Sequence, residues 1–173
     1  MRHALSEHFG LKQQAWVFSE IANAPPTINN LPEGHWLSLS HSRGFICFVL
    51  HNKPIGIDIE RSKLRGNFYA LADAFMNEGE LELLNSNEQL IADNFYKIWC
   101  AKEAFYKMIP ASDQEGMFLK KIDYLDLTNG KNSHLIQGYI EEHHLAIVTN
   151  APLKTINLAQ ARTFDGSLTI QWD

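Results

Sequence analysis

The sequence predicts an α+β fold with mainly antiparallel sheets, and three observations carry that prediction. Short alternating or continuously apolar runs, separated by turn residues, open and close the chain. A helix-rich stretch fills the middle, and helices do not alternate one for one with strands as a parallel α/β sheet requires. At 173 residues the chain is long enough to bury a real core in one domain or two small halves.

The elements follow in order. Leu5, His8, Phe9 and Leu11 recur at near-helical spacing and predict a short amphipathic helix from Arg2 to about Lys12, ending at or just after Gly10. "NAPPTINNLPEG" is dense in Pro, Asn and Gly and predicts an ordered surface loop. "WLSLS" alternates, "FICFVL" is continuously apolar, and "HSRG" lies between them, predicting a hairpin whose second strand is buried on both faces. "HNKP" then turns the chain into "IGIDIE", which completes an antiparallel meander as its third strand. After a basic loop with Arg61, Lys63 and Arg65, "NFYALADAFMNEGELELLNS" reads as two short helices broken near Met76. Asn77 and Glu80 form a capping box at the start of the second. "IADNFYKIWCAKEAFYKMIP" places Ile91, Phe95, Ile98, Phe105 and Met108 on one face of the longest helix, which Pro110 stops. "KIDYLDLT", "HLIQGYI", "HHLAIVT", "TINLAQA" and "SLTIQWD" read as short strands between Asn, Gly and Pro turns.

Composition narrows the function. A formal net charge of -5 argues against a general nucleic-acid binder, whose phosphate contacts need a basic surface. No apolar run approaches the roughly 20 residues that span a bilayer, and "MRHALSEHFGLK" lacks the apolar stretch of a secretory signal, so the expectation is a cytoplasmic protein without a membrane partner. Cys47 and Cys100 show no pairing pattern or metal spacing and read as buried reduced thiols. His51, His134, His143 and His144 could suggest zinc, but the adjacent pair would point to opposite faces of a strand, and a surface or edge-strand role is the better reading. Ser40, His41 and Ser42 lack the nucleophile elbow of a serine hydrolase.

Two stretches carry candidate chemistry. In "IGIDIE" side chains alternate, so Ile55, Ile57 and Ile59 share one face while Gly56, Asp58 and Glu60 share the other. Two acids side by side repel unless a cation, a basic partner or water compensates them, which admits either a divalent-metal site or a strand with one wet face. Gly56 leaves room beside them for a close-approaching ligand. In "WCAKEAFYK", Glu103 and Lys107 lie four apart on one helix face, with Tyr96 and Trp99 on the same side. Alone they read as a surface ion pair. If that face meets the acids of "GIDIE", three carboxylates and two lysines, Lys102 and Lys107, converge, and such a set suits a hard cation and phosphate oxygens.

"IGIDIE" and "WCAKEAFYK", with "LSLSHS" upstream, resemble in order and separation the 4'-phosphopantetheinyl transferases of the longer, Sfp-like class, over roughly residues 36 to 149. The resemblance implies a pseudo-dimer of two similar α+β halves in one chain with a coenzyme A cleft between them: residues 1–53 as a shortened first half, residues 54–173 as the second half with the metal-binding motifs. It implies transfer of the phosphopantetheine arm of coenzyme A to a serine of an acyl or peptidyl carrier protein, releasing adenosine 3',5'-bisphosphate. By the same resemblance Asp58, Glu60 and Glu103 are the magnesium ligands, Glu103 and Lys107 the catalytic groups, and Ser40, His41, Lys102 and Lys107 the coenzyme A contacts. Glu78 is similar to a family glutamate near the metal's waters, and it equally suits a helix start. Family members of this class usually carry a Gly-Lys-Pro turn that helps hold the nucleotide's 3'-phosphate. Here "IANAPPTINN" has no lysine, and Arg2, Lys12 and Arg43 are the candidate substitutes. Arg61, Lys63 and Arg65 are a candidate patch for an acidic carrier. A monomer is expected. The rival readings are a noncatalytic carrier-protein or nucleotide-binding descendant of the fold, and another metal-dependent enzyme acting on a pyrophosphate bond.

Overall fold

The structure is a computed structural model that describes residues 1–19, 26–63 and 66–152, together with the backbone of 170–172. Helix α1 (Arg2–Phe9) ends where Gly10 turns left-handed at φ 68°, the conformation glycine adopts without a Cβ penalty. Strands β1 (Phe18–Ser19) and β2 (Thr27–Ile28) pair in a small ribbon, so the expected loop contains a strand. The hairpin β3 (Trp36–Ser42) and β4 (Phe45–His51) follows, then β5 (Ile55–Arg61), α2 (Phe68–Phe75), α3 (Glu78–Asn85) and the 18-residue α4 (Ile91–Met108). Helix α5 (Tyr124–Thr128), β6 (His134–Ile140), β7 (His143–Thr149) and β8 (Ile170–Trp172) close the described chain. The sheets are antiparallel, and the second large one has the order β5-β7-β6-β8.

Three layers meet at β5. Its isoleucines, Ile55, Ile57 and Ile59, join Leu145 and Ile147 of β7 in an apolar face that packs on Trp36, Phe45, Cys47 and Val49 of the hairpin. The opposite face of the sheet, with Ala146 and Val148, packs on Cys100, Ala104 and Met108 of α4. The spacing 100, 104, 108 is one helical stripe, and alternation along the strands supplies both faces. On its other sides α4 is held by a second core that includes Phe68, Ala72, Phe75, Phe95, Ile98 and Leu127. The longest helix is therefore central, not a surface helix with one apolar stripe.

Several sequence expectations change here. Strand β5 does not continue the hairpin as the third strand of a meander: its backbone pairs with β7, in the register Asp58↔Ala146. Strand β4 is not buried on both faces, since Ile46 is 73% exposed. The fully buried strand is β7, which lies between β5 and β6 with a layer on each side. The "YLDLT" of "KIDYLDLT" is the helix α5, started by Asp123, whose carboxylate accepts the N–H groups of Leu125 and Asp126. His143 and His144 are neither at the surface nor on an edge strand. They are buried on opposite faces of β7, one against the Phe45 ring and the other stacked on Tyr96. Of the last two expected strands, β8 occupies Ile170–Trp172, while "TINLAQA" and the rest of "SLTIQWD" lie outside the described residues.

Candidate functional site

Gly56 explains how α4 comes to lie against the acidic face of β5. A Cβ at this position would overlap the carbonyl oxygen of Ala104 and the backbone nitrogen of Met108. The close approach that the glycine permits is thus to the backbone of α4 itself, and not to a ligand. With the helix seated so close, Trp99, Glu103 and Lys107, each one turn from the next, come over the strand positions of Asp58 and Glu60.

These residues, with Pro26, Leu39, Ser40 and His41, line a cleft of about 410 Å³ between the hairpin, β5 and α4. The structure thus brings together Asp58, Glu60, Glu103, Lys107, Ser40 and His41. Lys107 donates from Nζ to Asp58 Oδ1 at 2.6 Å and to Ser40 Oγ at 3.2 Å. Ser40 in turn donates to the same Asp58 oxygen at 2.8 Å. Burial first, and then the negative charge of Asp58, push the Glu103 carboxyl above its ordinary range, with Glu60 adding to the rise and Lys107 opposing it.

Lys102 is not brought to this cleft. It neighbours Glu103 in sequence but points about 100° further round the helix, where it is completely buried. Its ammonium pairs with the equally buried Glu80 and donates to the carbonyls of Phe75 and Leu119. Glu80 also accepts from Asn77 N, closing the capping box, and from Tyr124 N. The lysine therefore ties α3, α4 and the start of α5 together. Glu78, the first residue of α3, is not among the residues lining the cleft. Tyr96, expected beside Trp99, is in the core under α2 and β7.

Of the charges considered for the 3'-phosphate, Arg2 is engaged within the first segment, donating to the carbonyls of Gln13 and Trp16 and stacking over Phe18. Arg43 occupies the β3–β4 turn with φ 29°. In the expected carrier patch, Arg61 is held by Glu142 through Nε and a terminal nitrogen, and Arg65 lies outside the described residues.

The cleft suits a hard divalent cation. All its acidic donors are oxygens, and Asp58 Oδ2 is buried with no hydrogen-bond partner among the described residues. Among those residues no three His, Cys, Asp or Glu side chains are already drawn together around a common point. Lys107 instead supplies the positive charge nearest Asp58, which is how repelling carboxylates are expected to relax when a lysine is their nearest cation.

A family model described as the 4'-phosphopantetheinyl transferase superfamily matches residues 54–160, a span that contains Asp58, Glu60, Glu103 and Lys107. The chain belongs to this superfamily. Curated relatives include 4'-phosphopantetheinyl transferase Sfp of Bacillus subtilis (strain 168), 32% identical over 62% of this chain and 47% of its own. Psf-1 of Bacillus pumilus is 29% identical over 62% and 46%. AcpT of Escherichia coli (strain K12) is 31% identical over 68% and 58%. The chain spans about half the length of the first two of these relatives. Among the described residues no helix is long and apolar enough to cross a membrane.

Proposed function

We propose that this chain transfers the 4'-phosphopantetheine arm of coenzyme A to a serine of an acyl or peptidyl carrier protein, with magnesium in the cleft. The observation that carries the proposal is the meeting of Asp58 and Glu60 with Glu103 and Lys107 in one cleft edged by Ser40 and His41. The superfamily membership and the names of the relatives support it. In this reading residues 1–53 are the first half and residues 54–173 the second, and the enzyme is a cytoplasmic monomer.

Asp58, Glu60 and Glu103 would hold the ion, which would supply positive charge to offset the negative charge of the pyrophosphate. The remaining work belongs to the chain. Lys107, at the far end of the acid row, donates to a phosphate oxygen and stabilises the charge that grows on the leaving phosphate. His41 offers a hydrogen-bond donor at the hairpin side of the same cleft, which Ser40 lines with its hydroxyl hydrogen already given to Asp58. The carrier serine attacks the β-phosphorus and a new P–O bond forms. The bond to the bridging oxygen breaks, and adenosine 3',5'-bisphosphate leaves with that electron pair. Glu103, the acid that α4 contributes to the cleft, takes the serine proton.

The test is to incubate the protein with apo carrier, coenzyme A and magnesium and weigh the carrier. A gain of one phosphopantetheine, absent without magnesium and in Asp58→Ala, is expected. No gain with several competent carriers would leave a noncatalytic binding module of the same fold.

A further inference from the structure

Strand β3 meets β5 through side chains. Ser38, Ser40 and Ser42 occupy alternate positions of "SLSHS" and so share one face. Each hydroxyl oxygen accepts one backbone N–H of β5: Ile57 to Ser38 at 3.1 Å, Ile59 to Ser40 at 3.3 Å and Arg61 to Ser42 at 3.1 Å. The separation is 19 residues in all three bonds, so β3 runs parallel to β5 and the three serines take the N–H groups that point away from β7. Buried backbone donors must find acceptors, and here hydroxyls replace the carbonyls of a strand.

A hydroxyl that accepts in this way still has its one hydrogen to give. Ser40 gives it to Asp58 Oδ1 at 2.8 Å and Ser42 gives it to Glu60 Oε2 at 3.2 Å, each 18 residues along the chain. The step from Ser40 to Ser42 on β3 matches the step from Asp58 to Glu60 on β5, so each acid is fixed by the serine opposite it. Ser38 is the internal contrast. It takes a backbone N–H like the other two, but the residue 18 further on is Gly56, which has no carboxylate.

We propose that Ser42 is a positioning residue for the divalent cation: anchored on the Arg61 N–H, it aims the Glu60 carboxylate into the cleft, as Ser40 aims Asp58. The proposal rests on the assignment of the cleft as the ion site. Partners that orient a ligating carboxylate from behind typically change metal affinity 10- to 100-fold when removed, and this sets the expected effect.

The test is a titration of the full chain with Mn²⁺, followed by the paramagnetic resonance of the free ion, without carrier or turnover. Ser42→Ala is expected to weaken binding ~10-fold or more, and Ser42→Thr, which keeps the hydroxyl, to restore it. Ser38→Ala loses the same kind of seam bond and is expected to bind within about twofold of the parent, because it removes no partner of an acid. If Ser42→Ala does not fold, Ser42→Cys, of similar volume and a weaker donor, takes its place. Unchanged affinity in Ser42→Ala, or an equal loss in Ser38→Ala, overturns the proposal and leaves the serines as a structural seam only. Binding that survives Asp58→Ala overturns the assignment of the ion site itself, and the role of Ser42 with it.

Discussion

Lys107 Nζ stands 2.6 Å from Asp58 Oδ1, although the two residues are 49 apart in the chain and belong to different layers. The contact joins the last turn of α4 to the middle of β5 and makes the lysine the internal counter-ion of a buried acid. Replacing Lys107 with Met leaves Asp58 buried with one charge-assisted bond fewer. The expected loss is about 1–2 kcal/mol, below the range for fully buried pairs because the lysine is partly exposed. Urea melts of Lys107→Met, Asp58→Asn and the double variant at neutral pH check this: a coupling of about 1 kcal/mol is expected, and additive losses would contradict it.

Lys102 and Glu80 are both fully buried and form a second pair that does not touch the cleft. Burial lowers the Lys102 pKa while Glu80 opposes the shift and favours the charged form. Removing one partner, as in Lys102→Met, strands the other and is expected to cost about 3 kcal/mol. A variant that remains folded is expected to bind coenzyme A like the parent. Calorimetric titration with coenzyme A checks this, and a selective loss of affinity without a loss of stability would place Lys102 on the ligand.

Gly56→Ala forces a Cβ into the backbone of α4 at Ala104 and Met108, where no flexible side chain can yield. A loss of stability of about 2–3 kcal/mol is expected, as for overpacking elsewhere in protein cores. Thermal unfolding of the variant checks this. An unchanged midpoint would mean that the helix can retreat from β5 at no cost.

His143 is buried against the ring of Phe45. Burial first, and then the nearby Arg61, lower its pKa below 6.5, with Glu141 and the backbone of Ile140 and Ser42 opposing. A lowered histidine pKa means the unfolded chain takes up the proton first. The stability it contributes is therefore present above 6.5 and is lost as the pH falls below that value. Comparing the unfolding free energy at pH 7.5 and 5.5 in the parent and in His143→Phe is expected to show a smaller drop in the variant; equal drops would exclude His143 as a source.

Much of this was legible in the sequence where a pattern is local. The capping box Asn77–Glu80, the glycine at the end of α1 and the alternation of "IGIDIE" depend on neighbours within a turn or a strand, and all appear as read. Glu103 and Lys107 could be set on one helix face from their spacing alone. What could not be read depends on partners far along the chain. Which strand pairs with β5 is decided by a stretch nearly ninety residues later in the register Ile59↔Leu145. The face on which Lys102 falls matters only because α4 is covered on several sides, so a position next to Glu103 meets Glu80 rather than solvent or phosphate. The hydroxyls of "SLSHS" read as the polar side of a hairpin strand, because nothing local shows that β5 presents them with unpaired N–H groups. The local feature that starts α5 is Asp123, an N-cap residue ahead of a run whose alternation suits a strand equally well.

In the proposed function, acids from β5 and α4 hold one divalent cation against the diphosphate of coenzyme A. Crystals grown with Mn²⁺ and coenzyme A, measured at a wavelength where manganese scatters anomalously, test it most directly. A single strong anomalous peak bounded by Asp58, Glu60 and Glu103 is expected, with Lys107 moved from Asp58 onto a phosphate oxygen. A peak elsewhere, or diphosphate bound outside the cleft while Lys107 remains on Asp58, would contradict it.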